Sequence, residues 1–187
     1  MDKNKSNLRL SLVPVLVGLV LLMVYCAFIF HREREIHRLV AIVRDDSLDW
    51  RTQRDPAARR LGQIGKPAVN DLIPLLEYKS EPANDFEKSY LACVAFVGMG
   101  KDAKYAAAEL AKILEETDLW RPVISGDHIT TNAAGALGNI GPAALPHLLP
   151  LLESKETMPR NAALRTMEVM GPMAKEAEEK IRAMVSD

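Results

Sequence analysis

Residues 61–77 read LGQIGKPAVNDLIPLLE and residues 137–153 read LGNIGPAALPHLLPLLE, so one pattern returns 76 residues later without a gap. Each copy begins with LGxIG, continues through a proline, and ends in leucines and isoleucines spaced three and four apart. That spacing is the period of a helix with one apolar face. A pattern repeated this closely in one register predicts a structural unit that the chain uses more than once.

Two weaker copies complete the series. One begins with FVGMG at residues 96–100 and the other with MEVMG at residues 167–171, and apolar residues at helical spacing follow both. In every copy a glycine stands where the first helix should end, because glycine adopts the positive φ that closes a helix. These structural turn glycines are Gly65, Gly100, Gly141 and Gly171.

The pattern predicts an all-α fold, a right-handed α-solenoid of about four helical hairpins. One hairpin cannot bury its own apolar stripe, so each must stack on its neighbours. Aromatic residues make up only 5% of the chain, which also favours closely packed helices over a sheet. We expect the hairpins at about residues 47–77, 84–115, 127–154 and 157–186.

A single transmembrane helix is predicted over residues 10–30, which contain no charged residue in 21 positions. Such a helix is about 31 Å long, close to the thickness of a bilayer's hydrocarbon core. A cleavable signal peptide, a lipoprotein-type cysteine and a buried core helix are the alternatives. The run lacks an A-x-A cleavage pattern, bulky residues precede Cys26, and a core helix is rarely apolar on every face.

The segments beside this helix bear on topology. Residues 1–9 form a short basic tail, and residues 31–46 form a juxtamembrane helix that either continues the membrane helix or packs against the repeat domain at 47–187. Residues 45–47, DDS, are candidates for the N-cap of the next helix. Basic residues flank the membrane run on both sides, so the positive-inside rule is nearly balanced. The basic tail favours an extracytoplasmic repeat domain, and a cytoplasmic one is the alternative.

The repeats resemble HEAT repeats, in particular the short variety also found in phycobilin lyases. The core of that variety resembles A-x-x-A-L-G-x-I-G-x-x-A-x-x-x-L-x-x-L-L, and AGALGNIG at residues 134–141 matches it best. The fourth copy departs most, with Glu168 at the first motif glycine, which suits a polar capping repeat. The resemblance covers about three quarters of the chain and implies architecture rather than chemistry. A lyase or cofactor-chaperone role of the phycobilin-lyase kind is the alternative function.

No catalytic or metal-binding constellation is predicted, so no cofactor is expected and enzymatic activity is the less favoured interpretation. The histidines, His31, His37, His128 and His147, show no metal-ligand spacing. Cys93 lies in an apolar helix and is expected to act as a small hydrophobic residue. From Ser47 onward 17 basic residues face 20 acidic ones, which argues against nucleic-acid binding. The arginine-rich run at residues 51–60 is expected to be a solvated face.

The favoured hypothesis is a membrane-tethered interaction or scaffold module that binds an unidentified protein. Second-helix side chains would form a ridge on one face of the array: Asn70, Asp71, Glu77, Glu109, Lys112, His147 and Glu153. Trp120 and Arg121, in the irregular link 118–127, are further candidates because tryptophan and arginine dominate interaction hot spots. Trp120 can equally cover a seam between repeats, and Trp50 has the same two interpretations. A purely structural membrane protein, associating through Gly18, is a further alternative.

Overall fold

The computed structural model describes residues 3–76, 84–115, 129–175 and 177–178, and every regular element within those ranges is helical. The all-α prediction is therefore confirmed for this part of the chain. In particular, residues 61–76 and 137–153, where the sequence repeat is clearest, contain no strand. The chain divides into two compact units, Met1–His37 and Arg38–Asp187.

The first unit belongs to a long helix, α1 (Lys3–Arg44). Thirteen large apolar side chains between Val13 and Phe30 are each more than half exposed. An apolar surface of this size is unfavourable in water. Soluble monomers therefore rarely expose one as a continuous patch. The stretch Val13–Arg44 is long and apolar enough to cross a membrane.

The second unit is a series of helical hairpins. Their first helices are α2 (Asp55–Ile64), α4 (Asn84–Met99), α6 (Ile129–Ile140) and α8 (Thr157–Met170). Their second segments contain α3 (Val69–Leu72), α5 (Ala107–Glu115) and α7 (Leu145–Leu148). Along the chain α2 packs against α4, α4 against α6, and α6 against α8. The core between them is mainly aliphatic, and among the described residues Phe96 is the one aromatic side chain of its largest fully buried ones.

The entry to this unit uses the end of α1, where Val40 and Val43 are buried. A short π-helix, Trp50–Arg54, then leads directly into α2. Its N-cap is Asp49, whose carboxylate accepts hydrogen bonds from the Thr52 backbone N–H at 2.8 Å and hydroxyl at 2.6 Å. The predicted N-cap at residues 45–47 is therefore wrong.

Asp45 has a different partner, because it accepts hydrogen bonds from the backbone N–H and hydroxyl of Ser47 at 3.0 and 2.6 Å. These hydrogen bonds lower the pKa of the Asp45 carboxyl, and those from Thr52 lower the pKa of the Asp49 carboxyl. Both turns are therefore most stable when these two carboxylates are charged. This stabilisation is lost as the pH falls through the lowered pKa values of Asp45 and Asp49.

The sequence pattern suggested that each second segment is a single α-helix, but the structure differs. Tight 3-10 turns flank α3 and α7, at Lys66–Ala68, Ile73–Leu75, Gly141–Ala144 and Leu149–Glu153. Proline accounts for the turns after α3 and α7, because Pro74 and Pro150 have no N–H for the carbonyl four residues earlier. The chain tightens there to shorter-range bonds, such as the one from the Leu76 N–H to the Ile73 carbonyl at 3.0 Å.

All four turn glycines have positive φ, and no other residue type does in the described part of the chain. Gly65 has φ 76° and ψ −143°, and Gly171 has φ 55° and ψ −129°. The negative ψ places both outside the left-handed helical region that a simple helix-closing glycine uses. It places them instead in a region that only glycine enters at little cost. The first helix of these two hairpins therefore ends in a turn that requires glycine.

The first helices of successive hairpins meet in one constant register. At each junction, the residue three positions before one turn glycine contacts the residue two positions before the next. The three pairs are Gly62 with Gly98, Val97 with Asn139, and Gly138 with Val169. The middle pair is a hydrogen bond from the Asn139 side-chain amide to the Val97 carbonyl at 3.0 Å. The same two positions thus meet at every described junction, although the contact is a backbone approach, a hydrogen bond and a side-chain contact in turn.

Candidate interaction surfaces

The ridge residues predicted from sequence lie on the second segments. Asn70 and Asp71 are on α3, Glu109 and Lys112 on α5, and His147 on α7. The aliphatic residues of these segments are buried, so the polar side chains between them are left on the outer side. α5 contacts α7, and α3 contacts the Gly100–Ala106 segment that leads into α5. The second segments are therefore neighbours in chain order.

Exposure differs along this ridge. Asn70, Lys112, His147 and Glu153 are exposed, whereas Asp71 and Glu109 are half-buried. The Lys112 ammonium lies 2.8 Å from the Glu109 carboxylate, so helical spacing within α5 joins these two predicted residues. Three further candidates, Glu77, Trp120 and Arg121, lie outside the described residues, as does the rest of the link 118–127.

The surroundings of the histidines are simple. His31, His37 and His147 are exposed, and His128 lies outside the described residues. Within the described ranges, no three His, Cys, Asp or Glu side chains are grouped so that they could hold a metal ion.

Two surface depressions, of about 520 and 490 Å³, lie beside α8. Glu168 borders both, and no described cysteine or histidine lines either one.

Cys93 is fully buried in the middle of α4. Burial raises the pKa of its thiol above the ordinary value, because a thiolate there would have no water around it. The thiolate is the reactive form of cysteine, so Cys93 packs as a small apolar side chain rather than acting as a nucleophile.

We therefore expect Cys93 to resist alkylation in the folded protein. In a Cys26→Ser background, N-ethylmaleimide at mildly alkaline pH should leave the native chain unmodified and label Cys93 completely once urea unfolds it. Intact-mass measurement distinguishes the two states. Native labelling at the rate of a free cysteine would contradict the burial described above.

Arg54 is the centre of a polar cluster in the described part of the second unit. It is only 2% exposed, and its Nε and Nη2 donate hydrogen bonds to the Val43 carbonyl oxygen at 3.1 and 2.9 Å. Its Nη1 donates to the Glu87 carboxylate at 2.8 Å, and its Nη2 lies 3.1 Å from the Asp46 carboxylate. The Lys88 ammonium completes the cluster, 3.0 Å from the other Asp46 oxygen. One guanidinium thus joins the end of α1, the turn after it, and α4.

The expectation of a solvated face at residues 51–60 is wrong for Arg54, although Arg51, Arg59 and Arg60 are exposed. The π-helix is the physical reason, since its wider turn places Arg54 out of step with the neighbouring arginines. Its partner Glu87 lies 33 residues away, a separation at which no local pattern identifies an ion pair.

Trp50 packs against Tyr90 of α4, with ring centroids 5.1 Å apart and planes tilted by 55°. This is a favourable geometry for an aromatic pair. Of its two interpretations, the structure supports the one in which Trp50 covers a seam, here between the π-helix and α4.

The described part of the second unit is thus a series of helical hairpins whose first helices meet in one register, with polar side chains exposed on the second segments. A family model described as PBS lyase HEAT-like repeat matches residues 131–154, which are part of the hairpin built from α6 and α7. This match supports a HEAT-repeat domain. No curated protein and no solved structure matches the chain.

Proposed function

We propose that this protein is a membrane-anchored scaffold whose HEAT-like hairpins bind a partner protein. The observation that carries the proposal is the constant register of the first helices at three junctions. Repeating one junction between like units generates a solenoid, here right-handed, in which the second segments follow one another along one face. Such a face suits an extended peptide or a partner domain.

The ridge residues on that face would bind a partner without catalysing a reaction. Asn70 and His147 are exposed on separate hairpins, so a partner that spans α3 to α7 can contact both. The Glu109–Lys112 pair between them presents both charges, which selects partners by polar complementarity. The HEAT-like match at residues 131–154 supports an interaction role, because a repeat fold specifies a surface and leaves function to the residues on it.

The anchor in this proposal is the apolar run at residues 10–30, with the repeat domain outside the cytoplasm. A helix with exposed apolar side chains on all sides is stable in lipid, where its backbone polar groups are satisfied internally. Tethering restricts the repeat domain to the membrane surface and so raises its effective concentration for a membrane-bound partner.

Membrane fractionation tests the anchor. Full-length protein should remain in the membrane pellet after alkaline carbonate extraction, whereas a variant lacking residues 1–30 should be released. Protease added to intact spheroplasts should digest the repeat domain of the full chain. Release of the full-length chain would exclude a spanning helix, and protection from protease would place the repeats on the cytoplasmic side.

Site-specific photocrosslinking tests the ridge. A benzoylphenylalanine residue at position 70 or 147 should give discrete crosslinked products in native membranes, because both positions face outward on the second segments. Matched probes at Arg59 and Arg165, exposed on first helices, should give few or none. Products from the first-helix positions alone, or from no position, would contradict a ridge-binding scaffold.

A further inference from the structure

A compact basic edge lies at the first two hairpin turns, and the sequence pattern did not indicate it. The ammonium groups of Lys66 and Lys104 lie 5.6 and 5.1 Å from the centroid of the Tyr105 ring. Lys66 follows the first turn glycine, and the other two residues belong to Gly100–Ala106 after the second. The contact with one ring therefore brings together cations from two successive hairpins.

A third lysine extends this edge. Lys101 is three residues before Lys104 in a 3-10 helix, where side chains at that spacing lie one above the other. Both lysines and Lys66 are exposed, and none of the three forms an ion pair with a carboxylate in the described part of the chain. Asp102 is the one acidic residue of these turns, and its Oδ2 lies over Gly65 instead. The three lysines outnumber Asp102, so this edge keeps a net positive charge.

Tyr105 makes the edge a recognition surface as well as a charged one. Its side chain is 57% exposed although two cations lie near its ring, so part of the ring remains open to a ligand. A tyrosine that is held by its neighbours provides contact area at a low cost in conformational entropy. The combination fits a ligand that brings both negative charge and a flat or apolar group.

We propose that Lys66, Lys101, Lys104 and Tyr105 form a docking site for a short, extended, acidic peptide segment of a partner protein. Carboxylates on the peptide would pair with the lysines, and its backbone or an adjacent side chain would pack on the Tyr105 ring. This surface lies at the turns and not on the ridge of second-segment side chains, so its test does not depend on ridge binding.

The small size of the edge favours a peptide over a lipid surface. Segments that hold proteins on anionic membranes carry about four to eight clustered basic residues, whereas this edge has three. It also ends abruptly, because the next turn, Gly141–Ala144, consists of glycine, proline and two alanines. A flat bilayer would gain little from so limited a patch, while a few acidic residues of a peptide match its extent.

Fluorescence anisotropy of a labelled peptide tests the site. The probe is an octapeptide of alternating glutamate and glycine, added at low ionic strength to full-length protein in neutral phosphatidylcholine nanodiscs. We expect saturable binding that Lys66→Glu combined with Lys104→Glu weakens by about tenfold or more. Tyr105→Ala should weaken it severalfold, and added salt should weaken it progressively. Lys155→Glu combined with Lys175→Glu, an equal charge change at two exposed lysines on another part of the unit, should have no effect.

Two results would overturn the proposal. The first is equal binding by the Lys66/Lys104 variant and by wild type, or an equal loss in the Lys155/Lys175 variant, since either would mean nonspecific attraction. The second concerns lipid. If phosphatidylglycerol in the nanodiscs protects Lys66 and Lys104 from amine acylation in the absence of peptide, the edge binds headgroups and not an acidic segment. Circular dichroism of each variant would verify that the helices remain folded.

Discussion

Replacing Gly62 with leucine is expected to lower the free energy of unfolding by about 3 kcal/mol, and replacing it with alanine by about 1 kcal/mol. Gly62 lies inside α2, where alanine normally stabilises a helix by about 1 kcal/mol over glycine. Here a Cβ would lie 2.8 Å from the Ala95 carbonyl oxygen and 3.3 Å from the Gly98 Cα. Both are backbone atoms of α4, so the clash is relieved only if two helices move apart.

The matched control is Gly135→Ala in α6. There an added Cβ would meet the Val97 side chain at 3.6 Å, an ordinary van der Waals contact. This substitution should therefore stabilise the protein by up to about 1 kcal/mol, so the same change has opposite signs at the two positions. Urea titration of full-length protein in detergent micelles, followed by tryptophan fluorescence, measures both. Stabilisation by Gly62→Ala would contradict the close approach of α2 and α4.

This result bears on function because the ridge depends on the junctions behind it. If the first helices separate at Gly62, the second segments of the same hairpins move as well, and the spacing of ridge residues changes. Gly62→Leu should therefore reduce crosslinking from position 70 more than from position 147, which lies two hairpins further along the chain. Equal loss at both positions would indicate global unfolding rather than a local change in register.

The hairpins could be predicted from sequence because their signals are local. LGxIG identifies the end of a first helix, and a following proline identifies the start of the next segment. Two later prolines, Pro74 and Pro150, explain the 3-10 turns after α3 and α7, although apolar spacing alone predicts one helix for each second segment. The sequence itself therefore carries the signal for this interruption, because each proline removes an N–H from the helix.

The contacts between hairpins could not be predicted in this way, because they join residues far apart in the chain. The pairing of Gly62 with Gly98 depends on which face of α4 the chain presents to α2. Likewise, nothing near Lys66 in the sequence indicates that its ammonium reaches the ring of Tyr105, 39 positions later. The likeness of residues 61–77 and 137–153 predicts the helical hairpin as the repeating unit. The surfaces between hairpins depend on how the hairpins pack and are not visible in that likeness.

Replacing Arg54 with methionine is expected to lower the free energy of unfolding by about 3 kcal/mol. Methionine keeps the apolar stem but removes every donor, so the Val43 carbonyl at the end of α1 loses the two hydrogen bonds from Nε and Nη2. Asp46 keeps only its ion pair with Lys88, and Glu87 loses the Arg54 cation as well. Their side chains are 31% and 24% exposed, so water relieves part of the penalty and the loss stays at the lower end of the range for buried ion pairs.

Arg59→Met is the matched control, because Arg59 is 67% exposed and pairs with Asp55 one helical turn away. It should cost no more than about 0.5 kcal/mol. Arg54→Lys should fall between the two, since an ammonium keeps the charge but lacks the planar fork that reaches Val43, Asp46 and Glu87 together. Hydrogen exchange provides a local readout: amides of residues 38–44 should exchange faster in Arg54→Met than in Arg59→Met. Unchanged exchange there, with stability near wild type, would mean that this guanidinium does not hold the end of α1 to the repeats.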